Sequence, residues 1–179
     1  MYNDFSHLKS IKKFTTKSDI DILIGNPKFQ IENRLVFYYG NGIFIAYSTK
    51  CFKIEGTQRT EYGEEGLYAV CFYHFCDTEM LKLHLNMASF SDDNLLEVSN
   101  VIIDNEISYG MSFKDIQKIK HSNQFTDSYR EGATQVLEDN KMKTQNLFIM
   151  YGPYTLFFRG TSKNSKLSGF QYTFYIDLP

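Results

Sequence analysis

Hydrophobic positions along the chain fall into two rhythms. Where they alternate every second residue they predict strands, and where they recur every three or four they predict helices. The alternating rhythm dominates. Leu35–Tyr39 and Ile43–Ser48 flank Asn41-Gly42, a pair that favours the positive φ of a tight turn, so residues 35–48 read as a hairpin. Residues 146–159 read as a second hairpin, with a two-residue turn after Gly152. Leu67–Phe75 is apolar or aromatic on both faces, the pattern of a central strand with cover on each side. Further strands are expected at 51–54, 101–103, 133–138 and 167–176. Leu81, Leu83, Leu85 and Met87 alternate with polar residues, so 80–88 is read as a strand, although its residues also favour helix. Residues 94–103 fit either state, with a strand favoured near the end.

Three helices are expected. Phe5, Leu8 and Ile11 mark one over 4–13. The second starts at Thr16, with Asp19 three residues on as a short variant of the capping box. Its inner face is Ile20, Leu23 and Ile24, and Gly25-Asn26-Pro27 ends it. The third starts at Ser112 with Asp115, flanked by Met111 and Ile116 in the positions of a hydrophobic staple, and runs to about Lys120. The polar, glycine-bearing stretch 56–66 reads as an exposed loop.

These elements occur in a repeated order. Leu35-Val36-Phe37-Tyr38-Tyr39-Gly40 is echoed by Leu147-Phe148-Ile149-Met150-Tyr151-Gly152, and Thr16-Lys17-Ser18-Asp19-Ile20 by Ser112-Phe113-Lys114-Asp115-Ile116. The offset is 96 residues at the helix and 112 at the hairpin. The expectation is an α+β chain of two similar units, residues 1–99 and 100–179, each a short helix packed on an antiparallel sheet. Whether the units share one sheet is left open.

Composition narrows the class. The 13 Tyr and 16 Phe suit sheets, and 179 residues suffice to bury a core. Three cysteines (Cys51, Cys71 and Cys76) do not form a disulfide framework, and reduced thiols in a cytoplasmic protein are the plain reading. The first residues lack the pattern of a signal peptide, and no apolar run is long enough to span a bilayer.

The net charge of −2 conceals a partition. Residues 1–59 carry nine basic against five acidic side chains, residues 60–109 one against ten, and residues 110–179 nine against six. A middle of net −9 disfavours nucleic acid and favours a basic protein partner. The candidate binding residues are Glu61, Tyr62, Glu64, Glu65, Asp92, Asp93 and Glu97. The plainer alternative is a solvated acidic face.

Candidate chemistry is sparse. Phosphate-loop and His-Glu-x-x-His patterns are absent. Cys71, His74 and Cys76 come nearest to a ligand set, but one flat strand cannot close three ligands round a metal. Cys71 or Cys76 with His74 or His84 has the residue types of a nucleophile and base without a supporting pattern. Carboxylate pairs for glycoside hydrolysis would have to come from polar, loop-like stretches. No enzyme, cofactor or metal is expected. The numerous tyrosines suit either ordinary sheet packing or an aromatic contact surface.

The stretch Gly110-Met111-Ser112-Phe113-Lys114-Asp115-Ile116, with the tandem helix-plus-sheet order, resembles the helix starts of β-lactamase inhibitor protein and of the SmpA/OmlA-like outer-membrane-assembly modules. The resemblance covers half of the chain, by pattern rather than identity. It implies a non-catalytic binding or inhibitor module; the lipoprotein role does not carry over, because this sequence shows no lipobox. Small acidic-patched α+β proteins of this sort also resemble bacterial immunity proteins, which neutralise toxins delivered by neighbouring cells, as in contact-dependent growth inhibition. The expected function is therefore a cytoplasmic immunity or inhibitor protein that blocks a basic toxin domain without catalysis. A structural or ligand-binding module that forms a homodimer through a sheet edge is the alternative.

Overall fold

Two hairpins and two capped helices recur in the sequence, and the tertiary structure joins them through a single sheet. A computed structural model describes residue 11 and residues 15–49, 51–55, 58–62, 67–85, 102–103, 106–122, 129–138 and 141–174. The expected helix over 4–13 lies outside the described residues, apart from the buried Ile11.

Eight strands form one antiparallel sheet: β1 (Phe29–Gln30), β2 (Val36–Gly40), β3 (Ile43–Ser48), β6 (Tyr68–Phe75), β9 (Arg130–Glu138), β10 (Lys141–Tyr151), β11 (Tyr154–Phe158) and β12 (Leu167–Thr173). Their spatial order is β1-β2-β3-β6-β12-β11-β10-β9. β6 is central, between β3 and β12, as its two apolar faces require. Two short hairpins stand outside this sheet, β4 (Cys51–Glu55) with β5 (Gln58–Tyr62) and β7 (Ile102–Ile103) with β8 (Ile107–Ser108).

Both predicted caps form. At α1 (Lys17–Ile24) the Thr16 hydroxyl accepts from the Asp19 N–H at 3.2 Å, and the Asp19 carboxylate accepts from the Thr16 N–H at 3.3 Å. At α3 (Phe113–Ser122) Ser112 and Asp115 make the same reciprocal pair, each bond 3.2 Å. These bonds satisfy amides that a helix start leaves without partners. Gly25, at φ +92°, ends α1 in a backbone conformation that side chains disfavour. Ile20 is fully buried and Ile24 packs on the core, but Leu23 is 39% exposed, contrary to its expected place on the inner face.

The junction of α1 with β6 and that of α3 with β12 show the same pattern of main-chain bonds. The Lys17 N–H donates to the Leu67 carbonyl, and the Ala69 N–H to the Thr15 carbonyl. Phe113 donates to Ser165, and Leu167 to Met111, in the same arrangement. Beyond these junctions the halves differ. β9 has nine residues where β1 has two, and among the described residues α2 (Thr78–Leu85) and the β4–β5 hairpin have no counterpart after residue 100.

Side chains from α1 and α3 meet one sheet face: Ile20, Phe113 and Ile116 join Ile45, Phe72, Ile149, Leu156, Phe158 and Phe170 in the larger core. On the opposite face Met80 and Leu81 of α2 pack with Tyr38, Phe44, Phe75 and Phe157.

Two expectations are overturned. Residues 78–85 are a helix, not a strand. Asp77 sits ahead of them and its carboxylate accepts from the N–H groups of Glu79 (2.9 Å) and Met80 (3.1 Å), a cap that a strand would not use. Adjacent Met80 and Leu81 both face the core, and good helix formers decide the rest. Residues 58–62 are a strand rather than loop, with Cys51 opposite Tyr62 and Glu55 opposite Gln58. Main-chain pairing forms that hairpin, so its polar side chains carry no apolar signal. The expected strand at 133–138 starts three residues earlier, at Arg130.

Candidate functional site

The acidic candidates divide between described and undescribed positions. Glu61 and Tyr62 end β5, opposite Phe52 and Cys51 in the hairpin register. Glu64, Glu65, Asp92, Asp93 and Glu97 lie outside the described residues. Three other acids of the same segment are neutralised internally. Asp77 pairs with Arg159 at 3.0 Å, Glu79 with Lys82 at 3.1 Å and Glu106 with Lys120 at 3.1 Å. Lys120 is 3% exposed, and its ammonium also lies 4.4 Å from the centre of the Tyr151 ring. A buried ammonium requires such partners. The seven remaining carboxylates are the six acidic candidates and Asp104.

Cys71 and Cys76 do not form a reactive pair with His74, and the side chain of the other candidate base, His84, lies outside the described residues. Cys71 and His74 stand on opposite faces of β6, because they are three positions apart on a strand. His74 is buried in a hydrogen-bonded cluster. Its Nε2 lies 3.1 Å from the Asn41 carbonyl oxygen, which only accepts, so Nε2 carries the hydrogen. Nδ1 then accepts from the Tyr109 hydroxyl at 2.7 Å. Burial pushes the His74 pKa down to about 3, partly offset by the Asn41 carbonyl. Burial also pushes the Cys71 thiol up, and burial together with Asp77 pushes Cys76 up to about 11. Both thiols are therefore protonated at neutral pH, and neither supplies the thiolate that nucleophilic chemistry uses. Among the described residues no group of three His, Cys, Asp or Glu side chains is placed to hold a metal ion. No helix among them is long and apolar enough to cross a membrane.

A polar chain that sequence reasoning missed runs from α1 into the first hairpin. The Lys17 ammonium binds Asp21 Oδ2 at 2.5 Å. The Tyr39 hydroxyl donates to Asp21 Oδ1 at 2.9 Å, and the Tyr47 hydroxyl lies 2.5 Å from that of Tyr39. With Tyr39 donating to the carboxylate, Tyr47 donates to Tyr39. Burial, followed by the mutual hydrogen bond and Asp21, raises the Tyr39 pKa, and burial raises that of Tyr47, so both remain neutral phenols. The cluster binds α1 to the sheet and offers no activated nucleophile. The i,i+4 spacing of Lys17 and Asp21 was legible beforehand; their meeting with Tyr39 was not.

Most of the tyrosines considered for a contact surface are core. Tyr38, Tyr47 and Tyr151 are buried, and Tyr39, Tyr68, Tyr73 and Tyr154 are half-buried. On the α2 side of the sheet the strand registers align Tyr73, Gln171, Thr155, Met150 and Arg130 in one row across five strands. These side chains are half-buried or exposed. The neighbouring row is Phe75, Gly169, Phe157, Phe148 and Gly132. Each of its glycines lies under a phenylalanine ring, with Phe75 over Gly169 and Phe148 over Gly132.

The fold and these clusters define an α+β protein built on one eight-stranded antiparallel sheet. Compared with protein-family models, with curated proteins and with solved structures, the chain shows no significant match.

Proposed function

We propose that this protein is a non-catalytic inhibitor or immunity protein of the cytoplasm that binds and blocks a basic partner domain, such as a toxin domain. The observation that carries the reading is the charge partition, with ten acids against one lysine over residues 60–109. Glu61, Tyr62, Glu64, Glu65, Asp92, Asp93 and Glu97 form the proposed contact surface. Two features support it. Asp77, Glu79 and Glu106 are held by Arg159, Lys82 and Lys120, so the reading assigns the partner to the other acids of the segment. Among the described residues the β4–β5 hairpin, which ends in Glu61 and Tyr62, pairs with no strand of the eight-stranded sheet. Opposite charge would speed encounter and make it salt-sensitive.

The test is affinity capture from the native host's lysate, eluted by a salt gradient and read by mass spectrometry. A stoichiometric basic protein released by salt is the expected result. Reversing Glu64, Glu65, Asp92 and Asp93 to Lys should abolish its capture; undiminished binding by that folded variant overturns the surface.

A further inference from the structure

The two ends of the eight-stranded sheet are unequal. One end is closed by the two-residue β1. The other is β9, nine consecutive strand residues that pair only with β10 among the described residues. A long edge strand presents a row of main-chain donors and acceptors, and natural sheets blunt such edges with Lys, Pro or a bulge. β9 contains no Lys or Pro, and the register irregularity of the β9–β10 pair lies on β10, between Thr144 and Asn146. The start of the strand is held in place: Glu131 accepts from the Gln117 side-chain amide at 2.8 Å and from the Tyr129 hydroxyl at 2.6 Å.

β9 is also self-complementary. Arg130 and Glu138 stand four residues either side of Thr134. An antiparallel pairing of two copies about Thr134 sets position 130 of each against position 138 of the other, arginine against glutamate, twice. Thr134 faces Thr134, and cross-strand threonine and opposite-charge pairs are both favourable. The two-fold axis runs normal to the sheet, so each sheet face continues into the same face of the second copy. Pairing in a register shifted by one residue loses both charge pairs and turns the faces over.

We propose that β9 is a self-association edge, at which a second copy of this chain extends the sheet from eight strands to sixteen. The proposal takes up the self-associating reading of the sequence. It neither uses the acidic surface nor depends on it.

The test is sedimentation equilibrium of the full chain, alone, over a range of micromolar concentrations. The expected mass at the upper end is twice 20.9 kDa. Arg130 is exposed, so Arg130→Glu leaves the core intact and sets glutamate against glutamate at both ends of the pairing. It should weaken the dimer by roughly tenfold. Glu138→Arg should do the same, and the double variant R130E/E138R should restore wild-type dimerisation. Circular dichroism checks that each variant is folded. A wild-type monomer throughout the range, a dimer indifferent to R130E, or a double variant no better than the singles each overturns the proposal. Because no partner protein and no acidic-surface residue enters the experiment, its failure is distinct from failure of the inhibitor reading.

Discussion

Buried, neutral His74 should make the stability of this protein fall with acid in a way that one substitution removes. In the folded state burial holds its pKa at about 3, whereas an unfolded histidine titrates near 6.5. A depressed folded pKa gives stability that is fully present above the unfolded value. It is lost as pH falls below 6.5 towards 3, because there only the unfolded chain takes up the proton. At pH 5, 1.5 units below the unfolded value, the loss is about 2 kcal/mol at 1.36 kcal/mol per unit. The comparison variant is His74→Gln. Its amide can still donate towards the Asn41 carbonyl, and Tyr109 retains an acceptor in the residue-74 carbonyl oxygen, 3.3 Å away. The variant should be less stable at pH 7 by about 1 kcal/mol, a typical hydrogen-bond contribution. The assay is urea unfolding followed by circular dichroism at pH 7 and pH 5. Wild type should lose about 2 kcal/mol more than His74→Gln between the two pH values, since the other histidines and the carboxylates cancel in the difference. Equal losses would mean that His74 already titrates in the folded state, and the account of its burial would be wrong.

Four further substitutions test the packing, a helix cap and the polar chain. Gly169→Ala places a Cβ 2.2 Å from Phe75 Cδ1 and 2.9 Å from the His74 carbonyl oxygen. Backbone cannot yield there, so urea unfolding should show a loss of about 1–3 kcal/mol. Gly132→Ala meets only the far end of the half-buried Phe148 ring and should cost less. Ser112→Ala should destabilise by about 1 kcal/mol through loss of the cap. The Ser112 hydroxyl and N–H hold the Asp115 carboxyl below its ordinary range, so the same substitution should raise the Asp115 pKa, measurable by NMR titration. Tyr39→Phe removes the hydroxyl between Asp21 and Tyr47 and should cost about 1 kcal/mol in a thermal or urea melt. No change in stability would show that the chain from Lys17 to Tyr47 is incidental.

Elements specified by short-range chemistry were legible in the amino-acid sequence alone. Thr16 and Ser112 carry their capping partners three residues on, so both helix starts were readable. Asn41-Gly42 closed its hairpin as expected, because turn geometry depends on adjacent residues, whereas the second hairpin turns at Gly152-Pro153, one residue before the position the alignment suggested. The double apolar pattern of Leu67–Phe75 marked a central strand. Tertiary structure decided what depends on distant partners. Leu81, Leu83 and Leu85 suit a strand as well as a helix, and only the Asp77 cap and packing on Phe75 and Phe44 select α2. Residues 58–62 pair through main-chain groups, which side-chain pattern does not report. His74 becomes a neutral core group because folding brings Asn41 and Tyr109 to its two ring nitrogens from 33 and 35 residues away. Asp21 meets Tyr39 by the same route. The one-sheet arrangement likewise rests on β6 and β12 meeting across about a hundred residues, a long-range pairing that no local period encodes.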